Sequence, residues 1–219
     1  MPRSGRNIPA GELSRMTEMI RDKYDKTIVE HWHGGIENRC TPILAALRNL
    51  DLTFWSDKEK CGVFLYFLTH QLFRTPKMKN AMSRLQFNNS VEGLDLKRIW
   101  AIDSLLFANV LGANLYLDRE KYTIKYLRND GQVPFITSDQ PVINLKTEHD
   151  TDVSLYYPLS PRLAIILMPQ SLCGERMAHI GRFETEFYNY RLFTSCEDQL
   201  YGNDKDYLHA IAKMPRDLQ

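Results

Sequence analysis

The stretch that decides the fold is Val153-Ser-Leu-Tyr-Tyr157-Pro158-Leu-Ser160-Pro161-Arg-Leu163-Ala-Ile-Ile-Leu-Met168. Two apolar runs, 153–157 and 163–168, have the composition of β-strands and flank a short link that holds two prolines. A link this short predicts an antiparallel hairpin with Ser160 and Pro161 at its turn. We therefore expect the β-rich part of the molecule to be built around this hairpin.

Further strands are predicted on the N-terminal side of the hairpin. Residues 122–127 alternate between polar and apolar and are rich in aromatic and β-branched side chains. After the turn signal Asn129-Asp130-Gly131, residues 133–137 and 142–145 are two more candidate strands. Strand 133–137 could run parallel to 153–157 in the same sheet, in which case the sheet is mixed.

The rest of the chain has helical spacing of its apolar residues. Ser56, with Glu59 three residues later, is predicted to cap a strongly apolar helix that ends near Pro76. The pattern predicts an α+β fold, with a helical N-terminal half packed on a small antiparallel or mixed sheet and closed by C-terminal helices. Residues 1–219 are predicted to form a single domain, mainly helical over about 10–118, β-rich over 121–170 and helical over 180–214. The other predicted helices are 12–32, 37–50, 94–117, 182–196 and 205–214.

Composition excludes several classes of protein. Of the 219 residues 43% are hydrophobic and 25% charged, as in a soluble globular protein. The formal net charge of +1 does not imply nucleic-acid binding, although local basic patches stay open. Four cysteines without CxxC spacing predict reduced, buried thiols. The absence of a long apolar run and of a signal-peptide pattern predicts no membrane association and a cytoplasmic location.

Two motifs place small polar residues where strands meet loops. Asp139 follows the strand predicted over 133–137, and Ser160 lies in the hairpin link. If the two strands are parallel, both residues fall at one edge of the sheet and become neighbours. Ser138 and Gln140 flank Asp139. The alternative is structural, because Ser and Asp commonly bond their own backbone in turns.

A third candidate lies at the end of the apolar helix. Gln71 and Arg74 are three residues apart and so share one helix face. Arg74 can bind a carboxylate or phosphate as a fork, or form a structural ion pair. Glu37, on the second helix, is a further carboxylate candidate, with a solvated face as its alternative. His31 and His33 lack a third ligand at motif spacing, so the sequence predicts no metal site.

Several of these motifs together resemble a known family. His70-Gln71-Leu-Phe-Arg74-Thr75-Pro76, Phe135-Ile-Thr-Ser-Asp139-Gln140-Pro141 and Tyr157-Pro158-Leu-Ser160-Pro161, followed by Asn189 and Tyr201, resemble in order the bacterial domain-of-unknown-function family 4238. The Ile36-Glu37 segment also resembles the family's Ile-Glu helix. The chain departs from the family in lacking its N-terminal His-Tyr-Val-Pro motif and in having Gln140 where Asn is usual. The resemblance implies a bacterial or phage protein and adds weight to a functional role for Asp139 and Ser160.

Two functions are left open by the sequence. The first is a binding or accessory subunit of a defence or toxin-like assembly, with a protein partner or a second copy of the chain. Its polar pocket would be formed by Gln71, Arg74, Ser138, Asp139 and Ser160. The second is a metal-dependent hydrolase or nuclease acting on a phosphate-containing substrate. There Arg74 would bind the anionic group, Asp139 would act as base or divalent-metal ligand, and Glu37 would complete the set.

Overall fold

The structure, a computed structural model, describes residues 34–80, 96–146 and 150–216. The helix predicted over 12–32 and the two histidines at its end lie outside these residues. Residues 87–93, whose composition is typical of a surface loop, also lie outside them. Throughout the described part the α+β prediction is confirmed, with helices before and after a mixed sheet.

Most of the predicted helices are present within a few residues of their expected bounds. Between the helices predicted over 12–32 and 37–50, the pair Gly34-Gly35 is typical of an interruption, but both glycines are helical in the structure. The cap of α3 is Asp57 rather than the predicted Ser56, since the Asp57 carboxylate accepts hydrogen bonds from the N–H groups of Glu59 and Lys60. The helices are α1 (34–48), α2 (Thr53–Ser56), α3 (Lys58–Phe73), α4 (76–80), α5 (Leu96–Leu117), α6 (Arg182–Ser195) and α7 (Lys205–Ile211).

Five strands form the main sheet in the order β3-β4-β5-β1-β6. The predicted hairpin is its centre, because β4 pairs antiparallel with β5 and β5 pairs antiparallel with β1. Strand β6, which the sequence did not predict, pairs parallel with β1 and makes the sheet mixed. The strands are β1 (Tyr122–Asn129), β2 (Thr137–Ser138), β3 (Ile143–Asn144), β4 (Leu155–Ser160), β5 (Leu163–Pro169), β6 (Met177–Ile180) and β7 (Leu200–Tyr201).

The strand predicted over 133–137 is wrong in extent and in partner. Thr137 and Ser138 alone are in strand conformation, and they pair antiparallel with β7 in a separate two-stranded sheet. Pro134 has no N–H to give to a ladder. The carbonyl of Pro134 and the N–H of Ile136 bond instead to the buried side chain of Asn189 on α6, at 2.8 and 3.1 Å. A helix side chain therefore takes the place of a neighbouring strand.

The main sheet carries apolar side chains on both faces, in contact with helices on each side. On one face α3 packs through Phe64, Leu65 and Leu68 against Ile165 and other strand residues. On the other face Leu192 of α6 packs against residues of β1, β4 and β5. All four cysteines are buried and unpaired, as the sequence predicts. Within the described residues, no helix is long and apolar enough to cross a membrane.

Candidate functional site

The C-terminal end of α3 brings three predicted site residues together. Arg74 donates from Nη1 to Glu37 Oε1 at 2.6 Å and from Nη2 to Gln71 Oε1 at 2.9 Å. Gln71 donates from Nε2 to the same Glu37 oxygen at 3.2 Å. We call these residues the Glu37 cluster. Gln71 is buried, whereas the side chains of Glu37 and Arg74 are 44% and 34% exposed, so the cluster joins α1 to α3 and reaches the surface.

Tyr157 of β4 lies beside the Glu37 cluster. Its ring meets that of Phe67 edge to face, with the centroids 5.9 Å apart. Burial raises the pKa of Tyr157, and Arg48, Arg74 and Glu37 are close enough to influence that pKa as well. Arg48 donates from Nε to the carbonyl of Leu159, two residues beyond Tyr157 in β4, at 3.3 Å.

Sequence reasoning missed Tyr157 and Arg48 as site residues. Tyr157 opens the Tyr-Pro-Leu-Ser-Pro motif, and in an antiparallel strand it must face the same side as Leu155 and Leu159. That side is the one covered by α1 and α3, whereas α6 covers the other side. The alternation of the strand was therefore the signal that could have selected Tyr157 rather than Ser160.

The Asp139-Gln140 motif meets the Arg74-Thr75 motif through Gln140. The Gln140 amide donates to the carbonyls of Leu72 and Val142, at 3.1 and 2.7 Å, and its oxygen accepts from the hydroxyl of Thr75. Gln140 is buried and satisfies a carbonyl at the end of α3 that has no partner within the helix. Its placement fixes the loop 139–142 against the helix that carries Arg74.

Ser138 has a local structural role. Its hydroxyl donates to the carbonyl of Gln140 at 3.0 Å and accepts from the Gln140 N–H at 3.1 Å. This is the hydroxyl-backbone turn that the sequence left open as the structural alternative. Ser138 is buried and points its hydroxyl back into its own chain.

Asp139 uses its carboxylate to hold a distant loop. Oδ1 accepts from the N–H of Glu197 at 3.0 Å, and Oδ2 accepts from the N–H groups of Asp198 and Gln199 at 2.7 and 3.2 Å. The N–H of Asp139 in turn donates to the carbonyl of Gln199 at 3.1 Å. Four hydrogen bonds therefore fasten Asp139 to the segment between α6 and β7.

The strand arrangement that would make Ser160 and Asp139 neighbours is absent, because 133–137 is not a strand of the main sheet. The N–H of Phe135 donates to the carbonyl of Pro161, next to Ser160, whereas Asp139 bonds to Gln199. The two contacts lie at opposite ends of the segment 135–139, which can span up to about 13 Å. The Ser160 hydroxyl accepts from the Arg162 N–H at 3.3 Å within the hairpin turn. The polar atoms of Ser160 and Asp139 therefore bond to different parts of the chain.

The site residues thus divide into two groups by what their polar atoms contact. Ser138, Asp139 and Gln140 bond to backbone groups or to Thr75 in the described structure, and Ser160 bonds to backbone. Glu37 and Arg74 pair at the surface, where an ion pair can exchange one partner for a ligand group. Among the described residues, no group of three or more His, Cys, Asp or Glu side chains is placed to hold a metal ion.

Comparison with known proteins gives one match. A family model described as "Protein of unknown function (DUF4238)" matches residues 10–206. No curated protein and no solved structure matches the chain.

Proposed function

We propose that this chain, which belongs to the DUF4238 family of proteins of unknown function, is a binding or accessory subunit rather than an enzyme. The observation that carries the proposal is the Asp139 carboxylate, which accepts three backbone N–H bonds. A carboxylate with three such donors is stabilised in place and has few lone pairs left for a metal ion or a substrate proton. In this proposal the family motifs build a rigid frame, and the frame presents the Glu37 cluster at the surface.

An apolar stripe on α5 supports the same proposal. Ile102, Leu106, Val110 and Leu117 follow each other at helical spacing and are all more than half exposed. Exposed apolar side chains in one row are typical of protein interaction sites. We propose a protein partner for this row, as expected for a subunit of a defence or toxin-like assembly.

The competing proposal is a metal-dependent hydrolase or nuclease. The convergence of Glu37, Gln71 and Arg74 on one surface favours it, because Arg74 could bind a phosphate there. It requires Asp139 to leave the three N–H groups of residues 197–199 in order to act as base or metal ligand.

Asp139→Asn separates the two proposals. The variant keeps the shape of the side chain but replaces one acceptor oxygen with a donor, so we expect the free energy of unfolding to fall by about 2 kcal/mol. Urea denaturation measures this change. Asp198→Asn is the matched control, because its side chain is exposed and its free energy of unfolding should change by less than about 0.5 kcal/mol.

The same two variants and the wild-type chain are then incubated with Mg²⁺ or Mn²⁺ and end-labelled DNA or RNA. We expect no cleavage by any of the three. Cleavage by the wild type that Asp139→Asn abolishes, without a loss of stability, would establish the enzyme and exclude the accessory subunit.

A further inference from the structure

An apolar cavity of about 750 Å³ opens between α1, α3 and α5, apart from the Glu37 cluster. Its size is within the range of small-molecule sites in proteins, roughly 300–1,000 Å³. Two tyrosine rings and two aliphatic side chains supply most of its wall. The lining residues of this apolar part are Gly35, Ile36, Gly62, Val63, Tyr66 and Tyr116.

Gly62 is the least expected residue of the wall. It lies inside α3, where glycine costs about 1 kcal/mol relative to alanine. Packing does not require it, because an added Cβ would lie 3.7 Å from the Tyr116 ring, an ordinary van der Waals distance. Any side chain larger than that of alanine at position 62 would enter the cavity. Gly62 therefore leaves open a space that the packing of α3 does not require.

Among the described residues that line the cavity, two carry positive charge and one carries negative charge. Arg39 and Lys58 line it together with the carboxylate Glu59. Arg39 and Glu59 form an ion pair at 3.1 Å, which leaves the charge of Lys58 unbalanced among these three residues. Arg119, which does not line the cavity, lies over the Tyr116 ring, 4.9 Å from its centroid. The entrance therefore favours an anionic group, and the interior favours an apolar one.

From these observations we infer that the cavity binds an amphipathic small molecule, with an apolar ring or short acyl body and one anionic group. The body lies against Tyr66 and Tyr116, and the anion lies at the entrance beside Lys58. This site is independent of the function proposed above, because it shares no residue with the Glu37 cluster or with the Asp139 loop.

Two fluorescent probes test the inference on the full chain. One is 1-anilinonaphthalene-8-sulfonate, which has an aromatic body and an anionic group, and the other is N-phenyl-1-naphthylamine, the same body without the charge. We expect the wild type to bind one molecule of either probe. Gly62→Leu fills the cavity and should weaken the binding of both probes by about tenfold or more.

Matched variants separate the cavity from other apolar surfaces. Gly62→Ala adds one methyl group and should keep binding within about threefold of the wild type, a change of less than 1 kcal/mol. Lys58→Gln should weaken the binding of the sulfonate probe by about threefold and leave the binding of the neutral probe unchanged. Thermal denaturation confirms that each variant is folded, and both Gly62 variants favour the helix.

Three results would overturn the inference. The first is a wild-type chain that binds neither probe, which would mean that the cavity is filled or closed in solution. The second is Gly62→Leu binding as the wild type does. The third is loss of binding in Leu106→Ser, which would place the probe on the exposed stripe of α5 instead.

Discussion

Asn189 shows how much of this fold depends on single side chains. It is completely buried on α6, donates through Nδ2 to the carbonyl of Pro134 and the hydroxyl of Tyr207, and accepts a hydrogen bond from the Ile136 N–H through Oδ1. The sequence pointed to Asn189 through the family resemblance alone. Its two backbone partners, Ile136 and Pro134, are 53 and 55 residues away and leave no periodic signal, since a side chain can bond to the backbone of any residue type.

We expect Asn189→Ala to lower the free energy of unfolding by about 3 kcal/mol. The reason is that the N–H of Ile136 and the carbonyl of Pro134 stay buried without a partner. Guanidinium denaturation measures the loss. Asn38→Ala, at an exposed position of α1, is the control and should change stability by less than about 0.5 kcal/mol. Equal effects at the two positions would contradict the role given to Asn189.

For single residues, the sequence predicted which positions of the motifs carry important side chains better than it predicted what those side chains do. Glu37, Gln71 and Arg74 were singled out and they meet in one cluster. Asp139 was selected as well, but its three backbone donors lie 58 to 60 residues further along the chain. Backbone N–H groups are common to all residues except proline, so no local pattern could have predicted this contact.

Among the elements, the helices and the hairpin were predictable because each shows its own periodicity over many residues. The segment 133–137 was not, since Pro134 prevents a full ladder and Asn189 supplies the missing bonds. Strand β6 is four residues long and pairs in parallel with a strand about fifty residues earlier. Such a short run shows little alternation, and its pairing depends on the tertiary fold.

The N-cap of α3 gives a prediction at the scale of the element. Hydrogen bonding from the Lys60 N–H is the main cause of a pKa of Asp57 below its ordinary 3.8. A depressed folded-state pKa means that the stabilisation is complete above the ordinary pKa and is lost as the pH falls through the folded value. Asp57→Ala should therefore melt at a lower temperature than the wild type at pH 7, and the difference should disappear in acid.

Thermal melts of the two proteins between pH 7 and pH 2.5 measure this difference. Ser56→Ala is the control, because Asp57 and not Ser56 supplies the cap bonds. A melting temperature that falls as far in Ser56→Ala as in Asp57→Ala would support the capping box predicted from the sequence instead.

For the molecule as a whole, the fold class followed from the sequence, whereas the surfaces did not. Apolar residues of α5 divide between a buried side with Leu115 and an exposed side with Leu106. Apolar residues recur at helical spacing on both sides of α5, so the sequence pattern indicates burial for both sides. Which side is covered depends on the other elements.

The exposed side of α5 should contribute little to the stability of the isolated chain. We expect Leu106→Ala to change the free energy of unfolding by less than about 0.5 kcal/mol. Leu115→Ala, the matched buried change on the same helix, should cost about 3 kcal/mol. A cost of 2 kcal/mol or more at Leu106 would show that the row is covered within the folded chain and is not available to a partner.

We infer that Asp139 serves as a frame residue whose carboxylate is occupied by the loop at 197–199. Native-state hydrogen exchange followed by NMR tests it directly, at the amides of Glu197, Asp198 and Gln199. We predict that these amides are protected in the wild-type protein and exchange freely in Asp139→Ala, while the amides of β1 and β5 stay protected in both. Rapid exchange of the three amides in the wild type would contradict the claim, because it would leave the Asp139 carboxylate free for catalysis or for a metal ion.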